Sequence, residues 1–339
     1  MSTNILESPL PVGLAKSNNS STKSFLEDRM SIQTILVPLD FSRRSQKAID
    51  YAIALVDRFS AKLHFVHVFD HHSPPPGLAT DKHKTEMARR ATLRLRDIAA
   101  KHAADLPPEN LHAIKGIAYP EICQLAGALK ADLIVATTHG YTGLKHLFLG
   151  STAERLVQHT PCPILVVRER ERDFLRESGR ATSHTSIQLK KILVPVDLVE
   201  SSRADLEYAL RFAKGWGAEL VLLNCVPLPL PVYGEYGGGR AFPMGDAYGQ
   251  DAAKEDMQAL VRALELRGCS VAGATELGPP AETICKYAND HDVDLIIAST
   301  QGSTGLKHAF LGSTAAHIVR CAPCPILVAP SHSAIAPSN

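Results

Sequence analysis

A stretch of 17 residues occurs twice in this chain, at 137–153 and at 299–315. From Gly143 to Ala153, ten of eleven residues are identical to those between Gly305 and Ala315, although most of the surrounding sequence has diverged. An internal repeat indicates that one structural unit is built twice. The two copies must then occupy equivalent places in two similar halves, and this constrains the fold more than any other feature.

Each copy combines an apolar run, a glycine-bearing loop and a Gly-Ser pair that opens a helix pattern. Glycine lets the backbone approach a phosphate closely, and the unpaired N–H groups and dipole of a helix N-terminus favour an anion. Ser151 and Ser313 follow Gly150 and Gly312 in the two copies. Their hydroxyl groups either contact the anion or simply cap the helix, and the residues alone leave both interpretations open.

The length and composition indicate a globular protein with two domains. The chain has 339 residues, of which 45% are hydrophobic and 21% charged, and its formal net charge is +1. Such a chain can bury two cores, and its charge predicts no basic surface for nucleic acid. No apolar run reaches the roughly 18 residues of a membrane span, and the N-terminus lacks the pattern of a signal peptide. We therefore expect a cytoplasmic protein with neither a membrane nor a nucleic-acid partner.

The cysteine pattern favours reduced thiols. The chain has seven cysteines, an odd count, and no secretion signal. Cys321-Ala-Pro-Cys324 is a lone C-x-x-C motif that ends a helix pattern and enters the strand 326–329, whereas a thioredoxin-like pair opens a helix. The first copy has only Cys162 in this region, and no second ligand pair for zinc is found. We expect neither a redox motif nor a metal site.

Apolar runs alternate with helix-period segments along both halves. The order β-α-β-α-β-α-β-loop-α-β predicts the α/β class, with two tandem doubly wound domains. Each domain would contain a five-stranded, mainly parallel sheet flanked by helices. Ligands in such sheets bind beyond the carboxyl ends of the strands. The first strand, 34–40, ends in Asp40, and the equivalent strand, 191–197, ends in Asp197.

Shifts in composition mark the domain boundaries. We predict a disordered N-terminal tail at 1–30, a first domain at 31–168, a linker at 169–187, a second domain at 188–330 and a disordered tail at 331–339. The largest difference between the halves is the Pro- and Gly-rich segment Pro227 to Gln250. It is either a lid or a plain insertion, since long loops cost little stability.

The glycine spacing resembles a known signature. Gly140-x9-Gly150-Ser151, repeated as Gly302-x9-Gly312-Ser313, is similar to the nucleotide-binding pattern Gly-x2-Gly-x9-Gly-Ser/Thr of the universal stress protein family. The Val-Pro-x-Asp strand ends also resemble that family, and the resemblance covers both halves. It implies an adenine nucleotide alpha hydrolase-like fold. The chain departs from the pattern at the first glycine, where it has Thr137 and Ser299.

The resemblance also implies which residues bind nucleotide. In the family, the aspartate of the first strand and a backbone position of the second hold the adenine, while the glycine signature and its Ser/Thr hold ribose and phosphates. The corresponding positions are Pro38, Asp40, Val68, Thr137, Gly140, Gly150 and Ser151 in the first half, and Pro195, Asp197, Cys225, Ser299, Gly302, Gly312 and Ser313 in the second. The alternative for the two aspartates is that each caps the helix after its strand.

Three functions remain open at this point. The first is an ATP-binding regulatory or stress-response protein with a nucleotide site in each domain and Mg²⁺ as a further candidate ligand. The second is an interaction scaffold without nucleotide, which Thr137 and Ser299 motivate. A slow ATPase is the third, although no nucleophile, base and orienting group are recognisable and the phosphate-binding loop Gly-x4-Gly-Lys-Ser/Thr is absent. We therefore assign no catalytic residues.

The resemblance further implies that the final strands pair between the two domains. These strands, 164–167 and 326–329, are short and apolar, as expected at a sheet edge that invites pairing. The chain would then contain its own pseudo-twofold dimer, and further homodimerisation stays open. We also expect unequal nucleotide sites, because Thr137 is β-branched whereas Ser299 adds only a hydroxymethyl group.

Overall fold

We describe the protein from a computed structural model. The described residues are 31–69, 81–137, 150–168, 171–177, 185–198, 203–227, 247–266, 268, 270–299 and 312–330. Several predictions from sequence lie outside these residues. They concern the two tails, the loops with Gly140 and Gly302, and most of the segment from Pro227 to Gln250.

The first half alternates strands and helices in the predicted order. Its elements are β1 (Thr34–Pro38), α1 (Ser45–Phe59), β2 (Lys62–Phe69), α2 (Asp81–His102), β3 (Leu111–Lys115), α3 (Ala118–Leu129), β4 (Leu133–Thr137), α4 (Ser151–His159) and β5 (Ile164–Val167). The strands lie in the order β3-β2-β1-β4-β5, and all neighbours within this half are parallel. This is the doubly wound sheet that the alternation predicts.

The second half repeats this arrangement after two short strands, β6 (Leu175–Glu177) and β7 (Thr185–Ile187). Its elements are β8 (Lys191–Pro195), α5 (Arg203–Trp216), β9 (Glu219–Val226), α6 (Ala247–Glu265), β10 (Val271–Leu277), α7 (Pro280–Asp290), β11 (Leu295–Ser299), α8 (Ser313–Cys321) and β12 (Ile326–Ala329). The strand order β10-β9-β8-β11-β12 is the same, and these neighbours are also parallel. The predicted fold class is confirmed in both halves.

Helices cover both faces of the sheet, which explains why its strands are apolar on both sides. On β1, Ile35 and Val37 pack into one hydrophobic cluster, while Leu36 packs into the other. The first cluster includes residues from α1, α2, α5 and α6, represented by Tyr51, Leu95, Leu206 and Met257. The second includes residues from α3, α4, α7 and α8, represented by Ile122, Leu156, Ile284 and Ile318. Each cluster runs across both halves.

The two halves meet along their last strands. β5 and β12 pair in antiparallel fashion, with Leu165 opposite Leu327, and this pairing joins the halves into one ten-stranded sheet. The prediction that the final strands pair within the chain is confirmed. Pairing satisfies the backbone groups that an edge strand would leave open.

The segment predicted as a linker makes specific contacts with both halves. Phe174 is buried and packs edge-on against Tyr51 of α1, with ring centroids 4.7 Å apart. On the other side, the backbone N–H of Arg172 donates to the carbonyl of Pro323 at 2.7 Å, and its guanidinium pairs with Asp292 at 2.8 Å. The charged composition of this segment predicted a spacer. Its described part instead contacts both halves and holds them together.

The expectation of reduced thiols is wrong for one pair of cysteines. Cys285 of α7 and Cys321 of α8 form a disulfide, although they are 36 residues apart in sequence. The other cysteine of the C-x-x-C motif, Cys324, is a buried free thiol. Sequence spacing highlighted 321 and 324, but the packing of two helices brings Cys285 to Cys321 instead.

Three helices begin earlier than the apolar periodicity of the sequence predicts, which places their starts at about Thr85, Pro120 and Ala252. α2 begins at Asp81 rather than Thr85, and α6 begins at Ala247 rather than Ala252. α3 begins at Ala118, so that Pro120 lies in its first turn, where a missing N–H leaves no bond unmade.

Among the described residues, no helix has both the length and the apolar character that a membrane crossing needs.

Candidate functional site

The carboxyl ends of β1 and β8 carry the two predicted aspartates. Directly after the last residue of β1, the N–H of Leu39 donates to the carbonyl of Val66 at 2.8 Å. Directly after the last residue of β8, the N–H of Val196 donates to the carbonyl of Leu223 at 2.9 Å. These matching bonds hold the first strand of each half against the second, up to the residue before the aspartate. Asp40 and Asp197 therefore leave the sheet at equivalent points.

Asp40 has one oxygen bound and one without a partner. Its Oδ1 accepts a hydrogen bond from the backbone N–H of Ser42 at 2.9 Å, across a turn in which Phe41 has the left-handed φ of 61°. Its Oδ2 is buried and has no hydrogen-bond partner among the described residues. The next helix begins only at Ser45, with Arg44 before it. The first-half carboxylate thus stabilises the turn and does not cap the helix.

His67 on β2 supports this turn. Its Nδ1 lies 2.7 Å from the carbonyl oxygen of Leu39, and its ring stacks on Phe41 with centroids 3.9 Å apart. Burial lowers the pKa of His67, while its bond to Leu39 opposes that shift. The neutral ring then donates its Nδ1 proton to the carbonyl. The guanidinium of Arg94 from α2 lies 4.8 Å from the Phe41 ring and covers the stack.

Sequence reasoning missed this support. The signal that could have found it is a histidine inside an otherwise apolar strand, one residue before the predicted site position Val68. The second half has Asn224 and Leu198 where the first has His67 and Phe41, so it cannot form the same stack.

The second-strand positions, Val68 and Cys225, lie near the ends of β2 and β9. Val68 is opposite Ile114 in the neighbouring strand, and Cys225 is opposite Glu276. Burial and, to a smaller extent, the charge of the Glu276 carboxylate raise the pKa of the Cys225 thiol to about 11. The thiol therefore stays protonated near neutral pH and has no nucleophilic role there.

Thr137 and Ser299 are the last residues of β4 and β11. They lie opposite Val167 and Ala329, and both are half-buried. The chain leaves the sheet directly after them, as the sequence predicted. Residues 138–149 and 300–311, which contain Gly140 and Gly302, lie outside the described part of the chain, so the structure does not place those two glycines.

The helices after these loops begin as the Gly-Ser pairs predicted. Gly150 and Gly312 occupy the N-cap positions, with extended backbone angles φ −60°, ψ 139° and φ −54°, ψ 145°. Ser151 and Ser313 are the first helical residues and are exposed. Neither helix has a side-chain hydrogen bond at its cap position. The serines are thus not the N-caps, and the first N–H groups of both helices have no hydrogen-bond acceptor among the described residues, so an anion could use them.

Comparison with known proteins identifies the family. The model of the universal stress protein family matches residues 31–168 and again residues 188–330. The chain belongs to the universal stress protein family. The two matches fall on the two halves of the ten-stranded sheet.

Two curated universal stress proteins each match a stretch about as long as one half of this chain. A universal stress protein of Methanocaldococcus jannaschii is 32% identical over 146 residues, which cover 41% of this chain and 84% of the relative. Universal stress protein A homolog 1 of Coxiella burnetii is 33% identical over 150 residues, covering 42% of this chain and 100% of the relative. The crystal structure of a universal stress protein from Archaeoglobus fulgidus superimposes with a TM-score of 0.61 at 19% identity, covering 89% of this chain and 97% of that one. At this identity the last comparison supports the fold alone.

The topology of this universal stress protein gathers the described site residues. Because β1 lies between β2 and β4, the carboxyl ends carrying Asp40, Val68 and Thr137 are neighbours at one edge of the sheet. The β8, β9 and β11 ends bring Asp197, Cys225 and Ser299 together in the same way.

Within the described residues, no group of three or more His, Cys, Asp or Glu side chains could hold a metal ion.

Proposed function

We propose that this universal stress protein binds ATP in each half and acts as a regulatory stress-response protein, its conformation or partner binding depending on nucleotide. The observation that carries the proposal is the buried Oδ2 of Asp40, which has no partner among the described residues. A buried carboxylate oxygen without a donor costs about 1–3 kcal/mol or more, so the site favours a ligand that supplies an N–H group. The exocyclic amine of adenine is such a donor.

The residues present fit an adenine nucleotide in two further respects. Val68 lies on β2, the strand that pairs with β1, just beyond the last residue paired with β1. The edge of a base bound at this end of the sheet could therefore reach the backbone of Val68. The N–H groups at Gly150 and Ser151, with the helix dipole, would hold phosphate oxygens. Asp197, Cys225 and the Gly312-Ser313 helix start would act in the same roles in the second half.

The nucleotide acts in this proposal as a ligand whose occupancy stabilises one arrangement of the chain. A ligand that binds only the folded site stabilises it in proportion to the logarithm of its concentration. Because α4 and α8 begin at the proposed phosphate positions, ATP would stabilise the first turns of these two helices. Mg²⁺ would accompany the phosphates. Hydrolysis stays a lesser alternative, since no nucleophile and base are paired among the described site residues.

Titration calorimetry of the full chain with ATP tests the proposal. We expect micromolar affinity, about −8 kcal/mol. Replacing both Gly150 and Gly312 by Val should abolish binding, because a branched side chain would block the close approach of phosphate to the helix start. Gly127→Val is a matched control, since a Cβ at this α3 position meets no heavy atom within 4 Å. No binding at millimolar ATP, or binding that survives both glycine changes, would overturn the nucleotide site.

The scaffold function is the second candidate, and the continuous ten-stranded sheet favours it. That sheet joins the halves through the backbone pairing of β5 with β12, and Thr137 places a β-branched side chain where the family pattern has glycine. Mass spectrometry of small molecules released from freshly purified, denatured protein separates the two candidates. A released adenine nucleotide supports the ATP site, whereas ligand-free protein that also fails to bind ATP supports the scaffold.

A further inference from the structure

A disulfide joins two helices of the second half, and the first half has no counterpart. Cys285 lies in the second turn of α7 and Cys321 is the last residue of α8, with their Cα atoms 6.3 Å apart. The equivalent positions in the first half are Cys123 on α3 and His159 on α4. The His159 ring lies beside Tyr119, with centroids 5.4 Å apart. The two halves share this helix pair, but only the second can be cross-linked.

The cross-link connects the two helices that begin at the candidate site of the second half. α7 begins at Pro280, and just before it the N–H of Gly278 donates to the carbonyl of Val226 at 2.9 Å. This bond fixes the start of α7 at the end of β9, beside Cys225. α8 begins at Ser313, where we propose that phosphate binds.

α8 depends on contacts outside itself because it is short. It has nine residues, and isolated helices below about 12–15 residues are only marginally stable in water. Its buried residues, which include Ala315, Ile318 and Val319, hold its middle against the sheet. At a rise of about 1.5 Å per residue, Cys321 is about 12 Å from Ser313. The disulfide acts as a tether at the C-terminal end of this short helix, and it therefore also restricts the first residues of the helix.

The paired cysteines are more accessible than two of the four free ones, while the free Cys123 and Cys225 are half-buried as well. Cys285 and Cys321 are half-buried, whereas Cys162 and Cys324 are buried. Burial raises the pKa of the Cys162 thiol to about 12 and also raises the pKa of Cys324. Because the thiolate is the reactive form, oxidants would react with the half-buried pair before the buried thiols.

We propose that Cys285 and Cys321 form a reversible thiol–disulfide switch whose oxidation strengthens nucleotide binding by the second half alone. Oxidation joins the two sulfur atoms and releases two protons and two electrons. Hydrogen peroxide takes these up and becomes two water molecules, or glutathione disulfide takes them up and becomes two glutathione thiols. A dithiol reductant reverses the reaction. The disulfide restricts α8 before ATP arrives, so less conformational entropy is lost on binding.

Differential alkylation with peptide mass spectrometry tests the thiol chemistry of the full chain. After treatment with glutathione disulfide, we expect a cross-linked peptide pair containing Cys285 and Cys321, which dithiothreitol separates. Pairing of Cys321 with Cys324, or a disulfide that does not respond to either reagent, would overturn the switch.

Amide hydrogen exchange without ATP tests the tether. We expect the backbone amides of α8 to exchange more slowly in the oxidised chain than in the reduced chain. The Cys285→Ser variant should exchange alike under both conditions, whereas Cys123→Ser, the matched change in the first half, should keep the difference. Equal exchange of α8 in the two states of the native chain would overturn the proposed mechanism.

ATP titration of a Gly150→Val chain tests the regulation, which rests on the proposed nucleotide function. With the first site disabled, we expect ATP to bind about fivefold more tightly to the oxidised chain, the low end of coupling between two sites. Equal affinities would overturn the regulatory switch while leaving the ATP site intact. If ATP binds in neither state, the proposed nucleotide function fails and the regulation with it, while slower exchange in the oxidised chain would still support the tether.

Discussion

Asp132 and Asp294 make the same pair of backbone hydrogen bonds in the two halves. Asp132 Oδ2 accepts from the N–H groups of Gln33 and Thr34 at 2.8 and 2.9 Å, and Asp294 Oδ2 accepts from those at 190–191 at 2.8 and 2.9 Å. Each carboxylate thus ties the turn before β4 or β11 to the start of the adjoining strand, β1 or β8. The two sites differ mainly in burial, since Asp294 is 7% exposed and Asp132 is half-buried.

The different burial of Asp132 and Asp294 predicts that the same substitution lowers the free energy of unfolding by different amounts. Asp294→Ala should lower the free energy of unfolding by about 2–3 kcal/mol and Asp132→Ala by about 1–2 kcal/mol, because a more buried site leaves its N–H groups further from water. Urea denaturation followed by circular dichroism measures both. Asp290→Ala, which removes an exposed carboxylate paired with Lys286, serves as a control and should change stability little. Equal losses at 132 and 294 would show that burial does not control the cost.

Glu171 makes stability depend on pH. Burial raises the pKa of this carboxyl to about 7, although the N–H of Arg168 and the charges of Lys47 and Arg168 oppose the shift. Its side chain is 1% exposed, with Oε1 3.7 Å from Lys47 Nζ and Oε2 3.4 Å from Arg168 Nε. Since the folded state keeps this proton where the unfolded state has lost it, the contribution of Glu171 to stability falls as pH rises from about 4.5 to about 7.

The Glu171→Gln variant isolates this effect. Between pH 5 and pH 8, we expect the stability of the variant relative to the native chain to rise by roughly 1–3 kcal/mol, because glutamine cannot ionise. Thermal unfolding of both proteins across this range measures the difference. A difference that does not change with pH, or one that falls, would contradict the raised pKa.

Asp40 should control nucleotide affinity in the first half. In a Gly312→Val background, Asp40→Ala should weaken ATP binding by about 10- to 100-fold, since it removes an acceptor worth about 1–3 kcal/mol. Asp57→Ala removes an exposed aspartate of α1 and should leave affinity unchanged. Calorimetric titration gives the affinities, and circular dichroism checks the fold. An unchanged affinity for Asp40→Ala would mean that its free oxygen does not face the ligand.

The two nucleotide sites should be unequal, and the second should bind ATP more tightly by severalfold. Thr137 adds a β-branched side chain where the family pattern has glycine, whereas Ser299 adds only a hydroxymethyl group. Thr137→Gly should therefore strengthen the first site more than Ser299→Gly strengthens the second. Each site is measured by calorimetry with the other disabled by its Gly→Val change. Equal native affinities, or a larger gain at 299, would show that the missing glycine does not set affinity.

Cleavage of the chain near Gly179 should leave the halves associated. Arg172 lies before the cut, and its guanidinium donates to the carbonyls of Ala288 and Val293 of the second half at 3.2 Å each. The β5–β12 pairing and the contact between Phe59 and Trp216, with ring centroids 5.6 Å apart, also remain. Size-exclusion chromatography at micromolar concentration should give one peak with the mass of the intact chain. Two separate peaks would contradict the intrachain pairing.

Much of the fold could be predicted because its signals are local. Apolar runs such as 133–136 and 295–298 recur at matching places in two copies, and parallel strands joined by helices then follow from the order alone. The Gly-Ser helix starts at Gly150 and Gly312 were predicted for the same reason. The 169–187 segment was less predictable, because burial of Phe174 and pairing of Arg172 depend on surfaces far away in sequence.

The spacing of residues along the chain was enough to predict two equivalent halves, strands that alternate with helices, and Asp40 and Asp197 at the ends of equivalent strands. The three-dimensional packing was needed to show that Cys285 meets Cys321, that one oxygen of Asp40 has no partner among the described residues, and that Glu171 is buried between two cations. Pairing and burial depend on which distant elements pack together, and residue spacing carries no information about those distances.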